Sequence, residues 1–330
     1  MEPAAAAQLP IEGEFPDLDG ATTWLNSERL SPAELRGKVV VVQFCTFSCV
    51  NWLRTLPYVR AWAEKYRDDG LVVIGAHSPE FPFEHDVEKV RPALEAMGVE
   101  YPIAMDNDFA VWRAFENQAW PALYFIDTRG RIRHRHYGEE DYERSERVIQ
   151  QLLAEAGNDG FEQKLVSVEP GGVELPADWN TLGSPETYVG YARASGLVSP
   201  GGMEPDRSRL YVEPPRLELN QWALSGDWTV GEQITTLNEP DGRITFRFHA
   251  RDLNLVLGAQ SDGGPLRFLV LIDGKPPEGT RGIDVDQRGN GAVADARLYQ
   301  LIRQGGPITD RTCEITFLDP GAQAYVFTFG

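Results

Sequence analysis

Two cysteines four residues apart, Cys45 and Cys49, are the groups in this chain best placed to do chemistry, and the segment QFCTFSCVNWLRTLPYV shows where they sit. The run Val39-Val40-Val41-Val42-Gln43-Phe44 reads as a buried strand, and a long amphipathic helix is expected from about Cys49 to Arg67. A thiol at that junction meets the unsatisfied N–H groups and positive dipole end of a helix, which favour its thiolate. Cys49 is therefore the candidate nucleophile. Cys45 is its candidate partner in a C-x-x-x-C pair, which requires Cα atoms within roughly 7 Å and converging Cβ vectors. Against this, a strand residue at position 45 would normally point into the core beneath the site. Cys313, in strand-like sequence, reads as a small buried hydrophobe.

The surrounding elements alternate strand and helix, the pattern of a sheet covered by helices. Ser31-Pro32-Ala33-Glu34 reads as a helix start, with an N-cap serine and proline at the first helical position. Leu71 to Ala76 is a second strand, and Glu84 to Met97 a helix closed by Gly98. Ala122 to Asp127, the turn Thr128-Arg129-Gly130 and Ile132 to Tyr137 form a hairpin, followed by a charged helix from Glu140 to Ala156. From 157 to 185 periodicity fails and Gly, Pro, Asn and Asp accumulate, as in a linker. Beyond it, short alternating runs such as Arg243 to His249, Leu253 to Leu257, Phe268 to Ile272 and Tyr325 to Phe329 are separated by Gly, Asp and Pro turns. That is the signature of an all-β sandwich or jelly roll. The expected organisation is an α/β domain over 1–156, a linker over 157–185 and a β-sandwich over 186–330.

With 330 residues the chain has room for two domains of ~150 residues. A net charge of −19 argues against nucleic acid and anionic lipid as partners. No apolar run approaches the ~20 residues of a membrane helix, and the start, with its short Ala run, lacks a basic region and an apolar signal core. A cytoplasmic location is the expectation. Three cysteines cannot build a disulfide framework. No metal site is expected, because Cys45 and Cys49 lack ligands at tetrahedral spacing, and no cofactor is implied. The Gly171-Gly172, Gly201-Gly202 and Gly263-Gly264 pairs read as turns, not phosphate loops.

The blocks LRGKVVVVQF, NWLRTLPYV, GLVVIGAHSPEF, MDNDFAVW, WPALYFID and RIRHRHYGE, spread over Leu35 to Leu153, resemble the thioredoxin-like domain of DipZ-type thiol-disulfide oxidoreductases, within the redoxin group. The resemblance implies a thioredoxin fold. It also implies a buried Asp six residues before the nucleophile, a Trp four before it and a resolving Cys three after it. This sequence holds Gln43, Cys45 and Trp52 at those positions. In such enzymes the buried acid is thought to serve the attack of the resolving thiol, so loss of that thiol removes the reason to tolerate a buried charge, and neutral Gln43 avoids its desolvation.

By the same resemblance, Trp120-Pro121 is the cis-proline loop facing the nucleophile. With Trp52 also near Cys49, and with Phe47, Asn51 and Gln43, it would form a closed aromatic pocket suited to a small apolar or cationic ligand. His77 and Glu80, in the family's His-x-Pro-Glu-Phe pattern at the end of the second strand, are candidates for general base or for orienting Cys49, or for tying down their loop. His85, His134 and His136 read as surface residues.

SPETYVGYARA, NQWALSGDWTVG, FRFHARDLNLVLG, RLYQLIRQ and YVFTFG resemble the carbohydrate-binding-module-like β-sandwich that follows the thioredoxin domain in DipZ-type proteins. Tyr191, Tyr211, Trp222 and Trp228 could stack on sugar, or could be core; glycan binding follows only from the fold analogy. Three functions remain open. One is a thiol-disulfide oxidoreductase acting through Cys49 alone or through Cys45 and Cys49. Another is a repurposed lyase, isomerase or cyclase acting on a small metabolite, and the third is an inert binding protein.

Overall fold

The computed structural model describes residues 8–158, 160–260 and 264–330. The Ala run near the start and Gly263 of the Gly263-Gly264 pair lie outside them. The chain divides into two compact units between Glu174 and Leu175.

In the first unit the strands are β1 (Gly13–Glu14), β2 (Thr23–Leu25), β3 (Val39–Cys45), β4 (Leu71–His77), β5 (Ile103–Met105), β6 (Ala122–Ile126) and β7 (Arg131–Tyr137). The helices are α1 (Val50–Lys65), α2 (Val87–Ala96), α3 (Ala110–Ala114) and α4 (Tyr142–Glu155). They build one sheet in the order β1-β7-β6-β3-β4-β5-β2. At its centre β3 runs parallel to β4 and antiparallel to β6, and all seven β3 residues are buried. An apolar run with no alternation is what a strand covered on both faces requires. Val40, Val42 and Phe44 pack with Ile74, Ala76, Phe115 and Tyr124 on one face. Gln43 and Cys45 turn to the other, since side chains alternate along a strand.

Register fixes the neighbours of those two residues: Gln43 pairs with Gly75 and Cys45 with His77. Gly75 leaves room for a neighbour, because a Cβ there would lie 2.4 Å from Ile103 Cδ1 and the Ile103 side chain would have to shift.

Several boundaries differ from the sequence reading. Residues 32–37 form turns and not a helix. Ser31 and Glu34 make the reciprocal capping bonds, but the chain turns at Gly37 (φ +84°) to enter β3, and so few residues cannot repay helix nucleation. The helix expected from Glu84 is two elements. A single 3₁₀ turn, Pro82–His85, precedes α2, whose N-cap is Asp86 with its carboxylate accepting from the Glu88 N–H. Strands β1, β2 and β5 and helix α3 are too short to show a period. Of the segment read as linker, 161–174 packs on the first unit: Phe161 meets the Tyr66 ring, the Val166 N–H donates to Glu146, and Arg60 pairs with Glu174.

The second unit is all-β. Its strands are β8 (Thr187–Tyr188), β9 (Ser208–Tyr211), β10 (Trp222–Val230), β11 (Thr235–Leu237), β12 (Gly242–Phe248), β13 (Asp252–Ala259), β14 (Leu266–Ile272), β15 (Asn290–Val293), β16 (Arg297–Arg303), β17 (Arg311–Phe317) and β18 (Ala322–Phe329). β10 serves two layers. Its first half pairs with β12 and its second with β9 and β11, and the change falls at Gly226, whose φ of +99° only glycine adopts freely. Trp222, Trp228, Phe246, Phe268, Tyr299, Phe317 and Phe327 fill the core with Cys313 among them. Trp222, Trp228 and Tyr211 are therefore enclosed and present no face to a sugar, whereas Tyr191 is partly exposed. No described helix in the chain is long and apolar enough to cross a membrane.

Candidate functional site

The strand end and helix start meet where the sequence placed them. Cys49 is the N-cap of α1, in extended conformation (φ −77°, ψ 116°), and no side chain caps the helix there. Its N–H donates to the Thr46 carbonyl and its carbonyl accepts from the Leu53 N–H. The first turn of α1 carries no acidic residue, so nothing on the helix offsets its positive end. Cys49 is half-buried, and of the three cysteines it alone reaches solvent.

Cys45 is fully buried at the end of β3, and no disulfide joins it to Cys49. Burial pushes its thiol well above the usual range, and the nearby Glu84 and Cys49 push it further. A neutral, enclosed thiol is a poor nucleophile.

Beneath α1, Trp52 and Gln43 belong to one connected set with Tyr101 and Thr55. Trp52, on the first turn, is completely buried and its Nε1–H donates to Gln43 Oε1 at 3.1 Å. Tyr101 Oη donates to the same oxygen at 3.3 Å. Gln43 Nε2 donates to Thr55 Oγ1 at 2.8 Å, and that hydroxyl in turn donates to the Trp52 carbonyl. The buried amide thus uses both ends. Trp52 and Gln43 are floor, not wall. This corrects the expectation that they line a ligand pocket: neither exposes surface to a substrate.

Phe47 is likewise buried, stacked on the His77 ring at 5.9 Å and edge-on to Phe83 at 5.6 Å. His77 is enclosed, with neither ring nitrogen hydrogen-bonded. Desolvation lowers its pKa to about 3, so it stands neutral beside Cys45. Asn51, half-buried, accepts a long contact from Arg54. The bond between Trp120 and Pro121 is cis. The Trp120 ring lies 4.4 Å from Trp112 and 6.3 Å from Phe109, so the aromatic group on this loop is Phe109, Trp112 and Trp120. Glu80 is half-buried, and its N–H donates to Glu84. His85 is exposed, while His134 and His136 are half-buried, His134 against Phe125.

Two groups escaped the sequence reading. Glu84 is a completely buried carboxylate that accepts from the N–H and hydroxyl of Ser48 and from the N–H groups of Glu80 and Phe81. Its signal was present, since Phe81-Pro82-Phe83-Glu84 has the spacing of a turn start closed by an acid at the third position. The second is the buried ion pair of Arg54 Nη1 with Glu139 Oε1, at 2.9 Å. It ties α1 to the chain after β7, where the Gly138 N–H donates to the Pro121 carbonyl. Among the described residues no cluster of three or more His, Cys, Asp or Glu side chains is placed to hold a metal ion.

The Redoxin family model matches residues 11–153, and a second model, described as a thioredoxin-like C-terminal domain, matches 184–330. The chain belongs to the redoxin family, in its DipZ-type two-domain form. It is 35% identical over 337 aligned positions to Protein DipZ of Mycobacterium tuberculosis, covering 98% of this chain and 44% of DipZ. The chain thus spans less than half the length of the DipZ relatives it matches. Thiol-disulfide oxidoreductase YkuV of Bacillus subtilis is 31% identical over 147 residues, 44% of this chain and 99% of YkuV. A solved thioredoxin-like protein in its oxidised form is 30% identical, covering 43% of this chain and 96% of its own, with a TM-score of 0.40. The family is one of thiol-disulfide oxidoreductases.

Proposed function

We propose that the chain is a thiol-disulfide oxidoreductase working through Cys49 as a single thiol. The observation that carries this reading is the enclosure of both alternatives: Trp52, at the position the resemblance assigns to a resolving cysteine, is buried and bonded to Gln43, and Cys45 is buried with its thiol pushed well above the usual range. The Cys49 thiolate attacks one sulfur of a disulfide RS–SR′. The S–S bond breaks, R′S⁻ leaves and takes a proton from water, and Cys49 is left in a mixed disulfide with RS. A free thiol R″SH of the low-molecular-weight class loses its proton and attacks the RS sulfur, releasing RS–SR″ and the Cys49 thiolate. The net change is disulfide exchange, RS–SR′ + R″SH → RS–SR″ + R′SH. A reducing, cytoplasmic setting would supply that thiol pool.

The test is a mixed-disulfide trap read by intact mass. With a model peptide disulfide, the wild type and Cys45→Ala are expected to gain one peptide thiol, and Cys49→Ser none. Loss of exchange in Cys45→Ala would replace this reading with a Cys45–Cys49 pair, and unchanged labelling of Cys49→Ser would reject thiol chemistry at this corner.

A further inference from the structure

The loop Thr46-Phe47-Ser48 delivers Cys49 to the start of α1, and little in its own sequence fixes its shape. Two residues from other elements do so. The His77 ring supports Phe47 from the end of β4. Glu84, in the 3₁₀ turn Pro82–His85, holds Ser48 through both backbone and hydroxyl, with Oε1 at 3.2 Å from the Ser48 nitrogen and 2.7 Å from Ser48 Oγ. Its other oxygen is held by the loop after β4, at 2.7 Å from the Glu80 nitrogen and 2.9 Å from that of Phe81. Four donors on two oxygens match what an ionised carboxylate accepts. Among the described residues no Lys, Arg or His forms an ion pair with it. Its oxygens are caged by N–H and O–H groups and are not half of a salt bridge, while burial raises its pKa from the ordinary carboxylate value.

We propose that Glu84 is a positioning residue for Cys49: by clamping Ser48 against the loop after β4, it holds Cys49 in place as the N-cap of α1. The proposal rests on Cys49 being the reactive thiol. The carboxylate acts through the peptide that precedes Cys49 and makes no contact with substrate. A cage of this kind is specific to a carboxylate, because an amide in its place would turn an NH₂ group toward one of the two donor pairs.

The other titratable groups around this corner are Cys45 at the end of β3, His77 at the end of β4, Glu80 in the following loop, His85 on the same 3₁₀ turn and Asp106 after β5, where it accepts from Ser78. Clamping and direct charge predict opposite outcomes. A negative charge near a thiol disfavours its thiolate, so removing the charge alone would make Cys49 ionise more readily. Releasing the clamp moves the sulfur away from the helix start and makes it ionise less readily.

The experiment is the pH profile of iodoacetamide alkylation of the full chain, with Cys49→Ser as blank. For Glu84→Gln the midpoint is expected to rise by about half to one pH unit, slowing alkylation near neutrality roughly 3- to 10-fold, the span a helix terminus contributes. Ser48→Ala, which removes one of the four donors and leaves the fold, is expected to move it the same way by less, and it carries the test should Glu84→Gln not fold. A midpoint that falls, or that stays put in whichever of the two variants folds, overturns the clamp. A wild-type Cys49 that does not alkylate at all overturns the single-thiol reading itself and the clamp with it.

Discussion

Trp52 donates its indole N–H to Gln43 Oε1 at 3.1 Å. These two side chains stand at the positions that the resemblance assigns to the resolving cysteine and the buried acid. Here they hold each other, so the two positions are filled by a single packing solution.

That coupling makes Trp52→Cys costly. It removes most of a wholly buried indole and one of the two bonds on Gln43 Oε1. A loss of about 3–5 kcal/mol is expected, as for other large-to-small changes at core tryptophans. Urea unfolding followed in the first unit checks it, and a cost under about 1 kcal/mol would show that the indole is not packed as described.

Thiol counting separates Cys49 from its neighbours. In native protein a limiting alkylating agent is expected to modify one thiol, Cys49, while Cys45 and Cys313, both enclosed, react only in denaturant. Mass spectrometry of native and unfolded samples gives the count; two native adducts would place Cys45 within reach of solvent.

His77 sets an acid limit. Its folded pKa is lowered to about 3, against roughly 6.5 in an unfolded chain. Between these values the unfolded state binds the extra proton, so the stability His77 permits is complete above about pH 6.5 and falls as pH drops toward 3, by up to about 4 kcal/mol. Glu84 and Asp106, whose pKa values burial raises, oppose this over the lower part of the window. Replacing His77 with Phe, which keeps the stack on Phe47, is expected to flatten the decline between pH 7 and 5. Equal slopes for variant and wild type in urea titrations would remove His77 from the account.

The Arg54–Glu139 pair, nearly closed to solvent on both sides, is expected to behave as a unit. Arg54→Met leaves a buried carboxylate alone and costs about 3–5 kcal/mol. Adding Glu139→Leu relieves part of that loss, because no charge then remains. A double-mutant cycle measures the coupling, and strict additivity would contradict a desolvated pair.

Much of the architecture is legible from residue order because the central strands are continuous apolar runs and the second unit alternates. Val39 to Phe44 announces β3 without help from the rest of the chain. Helix α3 and strands β1, β2 and β5 fall below the length at which a period shows. At the site, Cys49 is marked by its junction, whereas the burial of Trp52 and Phe47 is invisible to pattern, since an aromatic residue on a first turn can face a cleft or a core. Glu84 is hidden for another reason. Its partners come from Ser48 and from Glu80 and Phe81, two separate loops, and only the parallel register of β3 and β4 brings their ends together.

The bond between Trp52 and Gln43 also bears on descent. A lineage acquiring a cysteine here by way of Trp52→Cys would first open a cavity over an amide that keeps its other partners. By way of Gln43→Asp it would first set a buried charge where Thr55 loses its donor. Each single change is expected to lower stability, and the two effects are expected to be non-additive because the side chains are in contact. Coupling of this kind makes the indole and the amide one unit of variation: a change at either position is expected to be tolerated best when the other changes with it.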